Sequence, residues 1–170
     1  KHTLESLTSG MYSDPFVVFR EYIQNCVDSI DNAVAQGILK AGEDQITVRL
    51  APLDRRIVIR DNGLGVSRKD AGKTLISVGN SKKSSENSRG FRGIGRLSAL
   101  SYCEKLTFLT TAPNEAVATK IVINADKLSE LLACDTGEDV TAVDVLENIY
   151  TIETIPEKES AHYFAVQMDG

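Results

Sequence analysis

Glu21, Asn25, Asp28 and Asn32 stand at i, i+4, i+7 and i+11. On a helix, 100° per residue keeps all four within about 60° of one another, on one stripe. The exposed side of any amphipathic helix carries polar residues. This stripe, however, holds only carboxylates and carboxamides, with no Lys or Arg among them. Such a set is all oxygen ligands and proton acceptors, which suits Mg2+ and a water nucleophile. A second group is Asp61-Asn62-Gly63-Leu64-Gly65. Its glycines can take positive φ and let a ligand approach the backbone, and its Asp can accept from an exocyclic amine. Asp-Asn-Gly is also an ordinary turn tripeptide.

The third group is Gly90-Phe91-Arg92-Gly93-Ile94-Gly95, which runs into a helical pattern. It follows a polar loop rather than a strand, and the chain there contains neither G-x-G-x-x-G nor G-x-x-x-x-G-K-[ST]. What remains is a glycine loop feeding a helix start, where free N–H groups favour phosphate. Lys82, Lys83, Arg89, Arg92 and Arg96 face only Glu86 in that stretch, a local excess of four positive charges in a chain of net −5. A solvated charged loop would give the same count.

The elements that must hold these groups can be read from periodicity. Asp14-Pro15 is a helix start, and Phe16, Phe19, Ile23, Val27, Ile30 and Val34 recur at helical spacing, which predicts an apolar stripe opposite the polar one and a stop near Gly37. Residues 45–50 and 56–60 are β-branched runs joined through Pro52, a hairpin whose second strand leads directly into Asp61. Residues 67–78 fit a helix. Residues 79–90 are polar, rich in Gly and Ser and expected to be mobile. Then come a helix over 94–102, strands at 105–111 and 118–123, a helix at 126–133, and strands near 150–155 and 163–168. Residues 134–148 carry no readable period. Early helices with later strands predict an α+β fold, a two-layer sandwich with helices on one face of a largely antiparallel, mixed sheet, rather than a parallel doubly wound one.

The 170 residues include 42% hydrophobic and 25% charged, which suits one domain over 1–170. Asp and Glu outnumber Lys and Arg by 24 to 19, so no global field attracts nucleic acid or an anionic membrane. No apolar run reaches membrane-spanning length. Cys26, Cys103 and Cys134 are widely spaced, with only His2 and His162 as further soft ligands, so neither a disulfide framework nor a zinc site is indicated. A cytoplasmic setting is expected, with Cys26 and Cys103 as small buried hydrophobes. A first residue other than Met suggests a piece of a longer chain.

Taken in order, the three groups resemble the Bergerat ATP-binding fold of the gyrase, chaperone, histidine kinase and MutL (GHKL) superfamily, and within it the ninety-kilodalton heat-shock chaperone group. Glu21-Tyr22-Ile23-Gln24-Asn25-Cys26-Val27-Asp28-Ser29 matches E-x-x-x-N-x-x-D-[AS], and Asp61 to Gly65 matches D-x-G-x-G. Gly90 to Ala99 matches G-x-x-G-x-G-x-x-S-A. The resemblance implies Mg-ATP binding and slow hydrolysis, with Glu21 as general base and Asn25 holding Mg2+. It further implies Asp61 on the adenine amino group, with Gly63 and Gly65 beside the purine, and Asp28 near the ribose and phosphates. Gly90, Gly93, Ile94 and Gly95 would shape the phosphate cradle, and residues 79–92 would form a lid carrying Ser81 and Lys82 as phosphate contacts.

The family's late Gly-Thr is missing, since that stretch reads Ser160-Ala161-His162-Tyr163-Phe164-Ala165-Val166. A chaperone-like ATPase domain, with ATP and ADP as ligands and with a client and homodimerisation supplied through other regions, is the leading expectation. A MutL-like or MORC-like ATPase acting on DNA or chromatin, and a non-catalytic nucleotide sensor, are the alternatives.

Overall fold

The computed structural model describes residues 14–76, 95–133 and 148–170. Helix α1, Phe16–Ala35, opens on Asp14 and Pro15. The Asp14 carboxylate accepts from the Phe16 N–H at 2.9 Å, occupying one of the amides a helix start leaves open. The hairpin follows, with β1 at Ile46–Ala51 and β2 at Arg56–Asp61, joined by a 3-10 turn over Pro52–Asp54. Helix α2, Arg68–Ile76, and a 3-10 helix, Gly95–Ser101, precede β3 at Lys105–Thr111 and β4 at Val117–Asn124. Helix α3, Ala125–Ala133, β5 at Tyr150–Pro156 and β6 at Tyr163–Asp169 complete the described elements.

The six strands form one sheet in the order β1-β2-β6-β3-β4-β5, and each pairing is antiparallel. The last strand in sequence therefore sits between β2 and β3, which carries residues 160–163 to the end of β2. The α+β architecture matches the expectation.

Register stacks the core in rows across the sheet. Ile59, Val166, Phe108 and Ile121 lie at one level and all are fully buried. The next level toward the site runs Asp61, Phe164, Thr110 and Thr119, also buried but mostly polar. Burying side chains the size of Ile59 or Phe108 contributes about 1.5–3 kcal/mol each. The Asp61 row forgoes most of that gain, so its polar atoms require another explanation.

Two sequence expectations need correction. Helix α1 buries Val18, Tyr22, Cys26, Ile30 and Ala33, whereas Phe16 is 69% exposed and Val27 37% exposed. At 100° per residue the buried stripe is rotated by roughly 80° from the expected one, toward the polar residues. The cause is that Tyr22 and Cys26 bury their bulk while placing a polar atom on a partner. The Tyr22 hydroxyl donates to the Arg96 carbonyl at 2.6 Å, and Cys26 bonds Asp61. Consequently the Glu21 stripe borders the core instead of opposing it. Second, residues 95–101 are 3-10 rather than α-helical. The Arg96 carbonyl is taken by Tyr22 and the Gly95 carbonyl by the Ser98 hydroxyl at 2.6 Å. These bonds compete with an α-helical ladder at its first acceptors.

Candidate functional site

Strand β2 ends at Asp61, whose side chain points under α1 and is only 2% exposed as a residue. Its Oδ1 accepts from the Gly63 N–H at 2.7 Å and from the Ser29 hydroxyl at 3.4 Å. Its Oδ2 is buried and has no hydrogen-bond partner. Burial is the largest influence on this carboxyl and raises its pKa, against the opposing pull of the Gly63 N–H, the Cys26 thiol, the Phe164 N–H and the Ser29 hydroxyl. Among the described residues no cation bonds it. The Cys26 thiol is in turn pushed up to about 12, chiefly by burial and then by the Asp61 charge and hydrogen bond. It is therefore a neutral donor rather than a nucleophile.

The turn after Asp61 is fixed from several sides. Gly65 has φ of +64°, and a Cβ there would also collide with the Thr111 and Tyr163 carbonyls. A Cβ on Gly63 would collide with Ser29 and the Ile30 amide, so the two glycines allow the turn to lie flat against α1 and the strand ends. Their near sides face protein atoms. The Leu64 N–H donates to the Ser29 carbonyl at 3.3 Å. The Val66 N–H donates to Thr110 Oγ1 at 2.8 Å, and that hydroxyl donates to the Tyr163 carbonyl at 2.9 Å. His162 Nδ1 lies 2.8 Å from the Gly63 carbonyl oxygen.

Helix α1 brings the remaining candidates alongside. Glu21 is half-buried, and its side chain makes no hydrogen bond to another described residue. A Cβ on Gly95 would stand 2.6 Å from Glu21 Oε1, so the glycine makes room for the carboxylate. Arg96 is beside it and donates to the Thr74 carbonyl at 2.6 Å. Burial lowers the pKa of this guanidinium while Glu21 opposes the shift. Asn25, one turn on, keeps its amide nitrogen buried with no partner. Asp28 is exposed, with Oδ1 accepting from Gln24 Nε2 at 2.9 Å. Asn32 is exposed too, and donates to the Asp28 carbonyl at 2.7 Å.

The structure thus sets Gly95 beside Glu21, and Asp61 and Gly63 beside Ser29, on the helix that also carries Asn25, while Gly65 lies against the Thr111 and Tyr163 carbonyls. Ser81, Lys82, Gly90, Gly93, Ile94 and the expected lid over 79–92 lie outside the described residues. Motif reading gave no role to Cys26, Thr110 or His162. Cys26 was visible only as an apolar-patterned residue. The partners of Thr110 and His162 are 44 and 99 residues away in sequence, so no spacing rule reaches them.

An antiparallel sheet covered by helices, with a buried strand-end carboxylate facing a helix that carries Glu and Asn, defines an ATPase domain of the GHKL type. The chain matches, over residues 12–148, a family model described as histidine kinase-, DNA gyrase B- and HSP90-like ATPase, and it belongs to that family. It is 26% identical over 157 residues to the chaperone protein HtpG of Rickettsia canadensis, covering 81% of this chain and 25% of that protein. To HtpG of Chromobacterium violaceum it is 25% identical over 189 residues, covering 95% of this chain and 30% of that protein. The DNA mismatch repair protein MutL of Pelobacter propionicus is 30% identical over 127 residues, with 71% of this chain and 19% of that protein covered. The chain spans less than a third of the length of each of these relatives. Among the described residues no helix is long and apolar enough to cross a membrane.

Proposed function

We propose that this domain binds Mg-ATP and hydrolyses it slowly, so that the bound nucleotide drives conformational change in a larger chaperone-like protein. The observation that carries the reading is Asp61 Oδ2, a buried carboxylate oxygen without a partner. Leaving such an atom unpaired costs about 1–3 kcal/mol, more when charged, and a ligand N–H recovers it. The exocyclic amine of adenine is a donor of the right kind.

Glu21 is the general base in this reading. It takes a proton from the water that attacks the γ-phosphorus, and the bond to the β-γ bridging oxygen breaks to release ADP and phosphate. Gly95 leaves space for the Glu21 carboxylate, and Arg96 is close by. Asn25 is proposed to hold Mg2+ through Oδ1, the oxygen of its carboxamide, since its Nδ2, buried without a partner, is a donor and cannot ligate a cation. Bound there with ATP, the ion supplies charge neutralisation to the phosphates. Asp28 is proposed as a helper near the ribose and phosphates, from the family pattern. Ser81, Lys82, Gly90, Gly93 and Ile94 are proposed as phosphate contacts from the family pattern alone.

The MutL relative supports a second reading, in which the same site serves a DNA-associated protein. The net charge of −5 favours the chaperone reading for this segment. Calorimetric titration with ATP and ADP, with and without Mg2+, tests the proposal beside a folded Asp61→Asn variant. Magnesium-sensitive binding that the variant loses supports it. Absence of binding to the folded wild type contradicts it. Nucleotide binding that never leads to hydrolysis, even in the longer protein, would support a sensor instead.

A further inference from the structure

The Asp61–Val66 turn is bonded to the strands behind it on two sides. On the β3 side, Thr110 Oγ1 accepts the Val66 N–H and passes its own proton to the Tyr163 carbonyl. On the β6 side, His162 Nδ1 meets the Gly63 carbonyl oxygen at 2.8 Å. A carbonyl oxygen can only accept, so this contact requires the proton on Nδ1. The Gly63 residue held in this way is the one whose N–H donates to Asp61 Oδ1. His162 thus reaches Asp61 through a single peptide residue, and a shift of Gly63 would change where the unpaired Oδ2 points.

We infer that His162 is a positioning residue for Asp61: its Nδ1–H fixes the Gly63 carbonyl, and this holds the carboxylate oriented toward the adenine amine. Thr110 fixes the other end of the same turn. The inference rests on the nucleotide reading of the site, yet the mechanical part is measurable without any nucleotide.

The test uses His162→Asn, His162→Gln and His162→Ala in the 170-residue chain. Asn places an amide N–H close to where Nδ1 stands, whereas Gln places one nearer Nε2. First, in the nucleotide-free protein, hydrogen exchange at the Gly63, Leu64 and Val66 amides reports the turn, and long-range nitrogen–proton correlation reports the tautomer. The wild type is expected to show a protonated Nδ1. The Ala and Gln variants are expected to exchange those three amides about five- to tenfold faster, as loss of one hydrogen bond implies, and Asn about as slowly as wild type. Second, ATP affinity measured well below each variant's melting temperature should fall by a similar factor in Ala and Gln and by less than about twofold in Asn.

Equal behaviour of all three variants, or an Nε2–H tautomer in the wild type, overturns the inference. So does unchanged ATP affinity in an Ala variant whose turn is loosened. If the wild type binds no nucleotide, the functional reading fails, while the exchange data still decide whether His162 sets the turn.

Discussion

Two aspartates end neighbouring strands and meet opposite fates. Asp61 closes β2 opposite Phe164, and Asp169 closes β6 opposite Arg56. Asp169 has Arg56 Nε at 2.6 Å, Lys105 Nζ at 3.7 Å and Gln167 Nε2 at 2.8 Å. Burial acts to raise its pKa, but the Gln167 bond, the Arg56 guanidinium and the Lys105 charge outweigh that, and the group is held below the usual carboxylate range. Asp61 has deeper burial and, among the described residues, no cation bonded to it, and is held above that range.

The surroundings differ in the same sense. Beside Arg56 and Met168 lies a cavity of about 470 Å³ with an apolar lining from Val18, Phe19 and Ile57, which none of the candidate residues lines. At the Asp61 end the polar groups crowd together, and unpaired buried atoms remain on Asp61 and Asn25. A carboxylate that only stabilises the fold is given partners, as Asp169 is. One left buried and incompletely bonded is better explained by a ligand that completes it.

Substitution at Asp61 separates the two aspartates most strongly. Asp61→Asn is expected to weaken ATP binding by at least about a hundredfold in calorimetry, because the amide offers a donor where an acceptor is needed. The same variant should melt no lower than the wild type. A folded-state pKa above the unfolded value means that the native state binds the extra proton, so stability declines as pH rises from the unfolded Asp range through the raised pKa. Asn removes that decline. A variant that melted well below wild type at neutral pH would place Asp61 in the same structural class as Asp169.

Next in size is Glu21→Gln, expected to slow single-turnover hydrolysis by about a hundredfold or more while leaving ATP affinity within a few-fold. Loss of binding instead would assign Glu21 to ligand contact. Gly95→Ala should follow. Its Cβ must displace Glu21 or the 3-10 helix, lowering stability by about 1–3 kcal/mol and slowing hydrolysis, as thermal melts and single turnovers would register. The smallest effect belongs to Asp169→Asn. Its partly exposed partners limit the loss to about 1 kcal/mol or less at neutral pH. The sign with pH opposes that of Asp61: a lowered folded pKa gives stability that is present above the unfolded Asp range and lost as pH falls through the folded value. Melting curves from pH 7 into the acid range should therefore converge with the wild type for Asp169→Asn.

Local rules made much of this legible. The run Lys105–Thr111 is a strand with the bounds read from sequence, and Asp61 sits where a strand-to-glycine turn demanded a special residue. The orientation of α1 was not legible, because hydropathy ranks Phe16 and Val27 above Tyr22 and Cys26. The sheet buries the latter pair, whose polar atoms find Arg96 and Asp61. The role of His162 was hidden for a different reason. Only the placement of β6 between β2 and β3 brings it to Gly63, and strand order is not written in local spacing.

If the unpaired oxygen of Asp61 receives the amine of a purine, the protein discriminates ATP from inosine triphosphate. The two nucleotides share phosphates and ribose, but inosine has a carbonyl in place of the amine. Titration of the wild type should give ATP at least about a hundredfold tighter than inosine triphosphate, with most of that preference gone in Asp61→Asn. Equal affinity for the two would mean that Asp61 does not receive the purine amine.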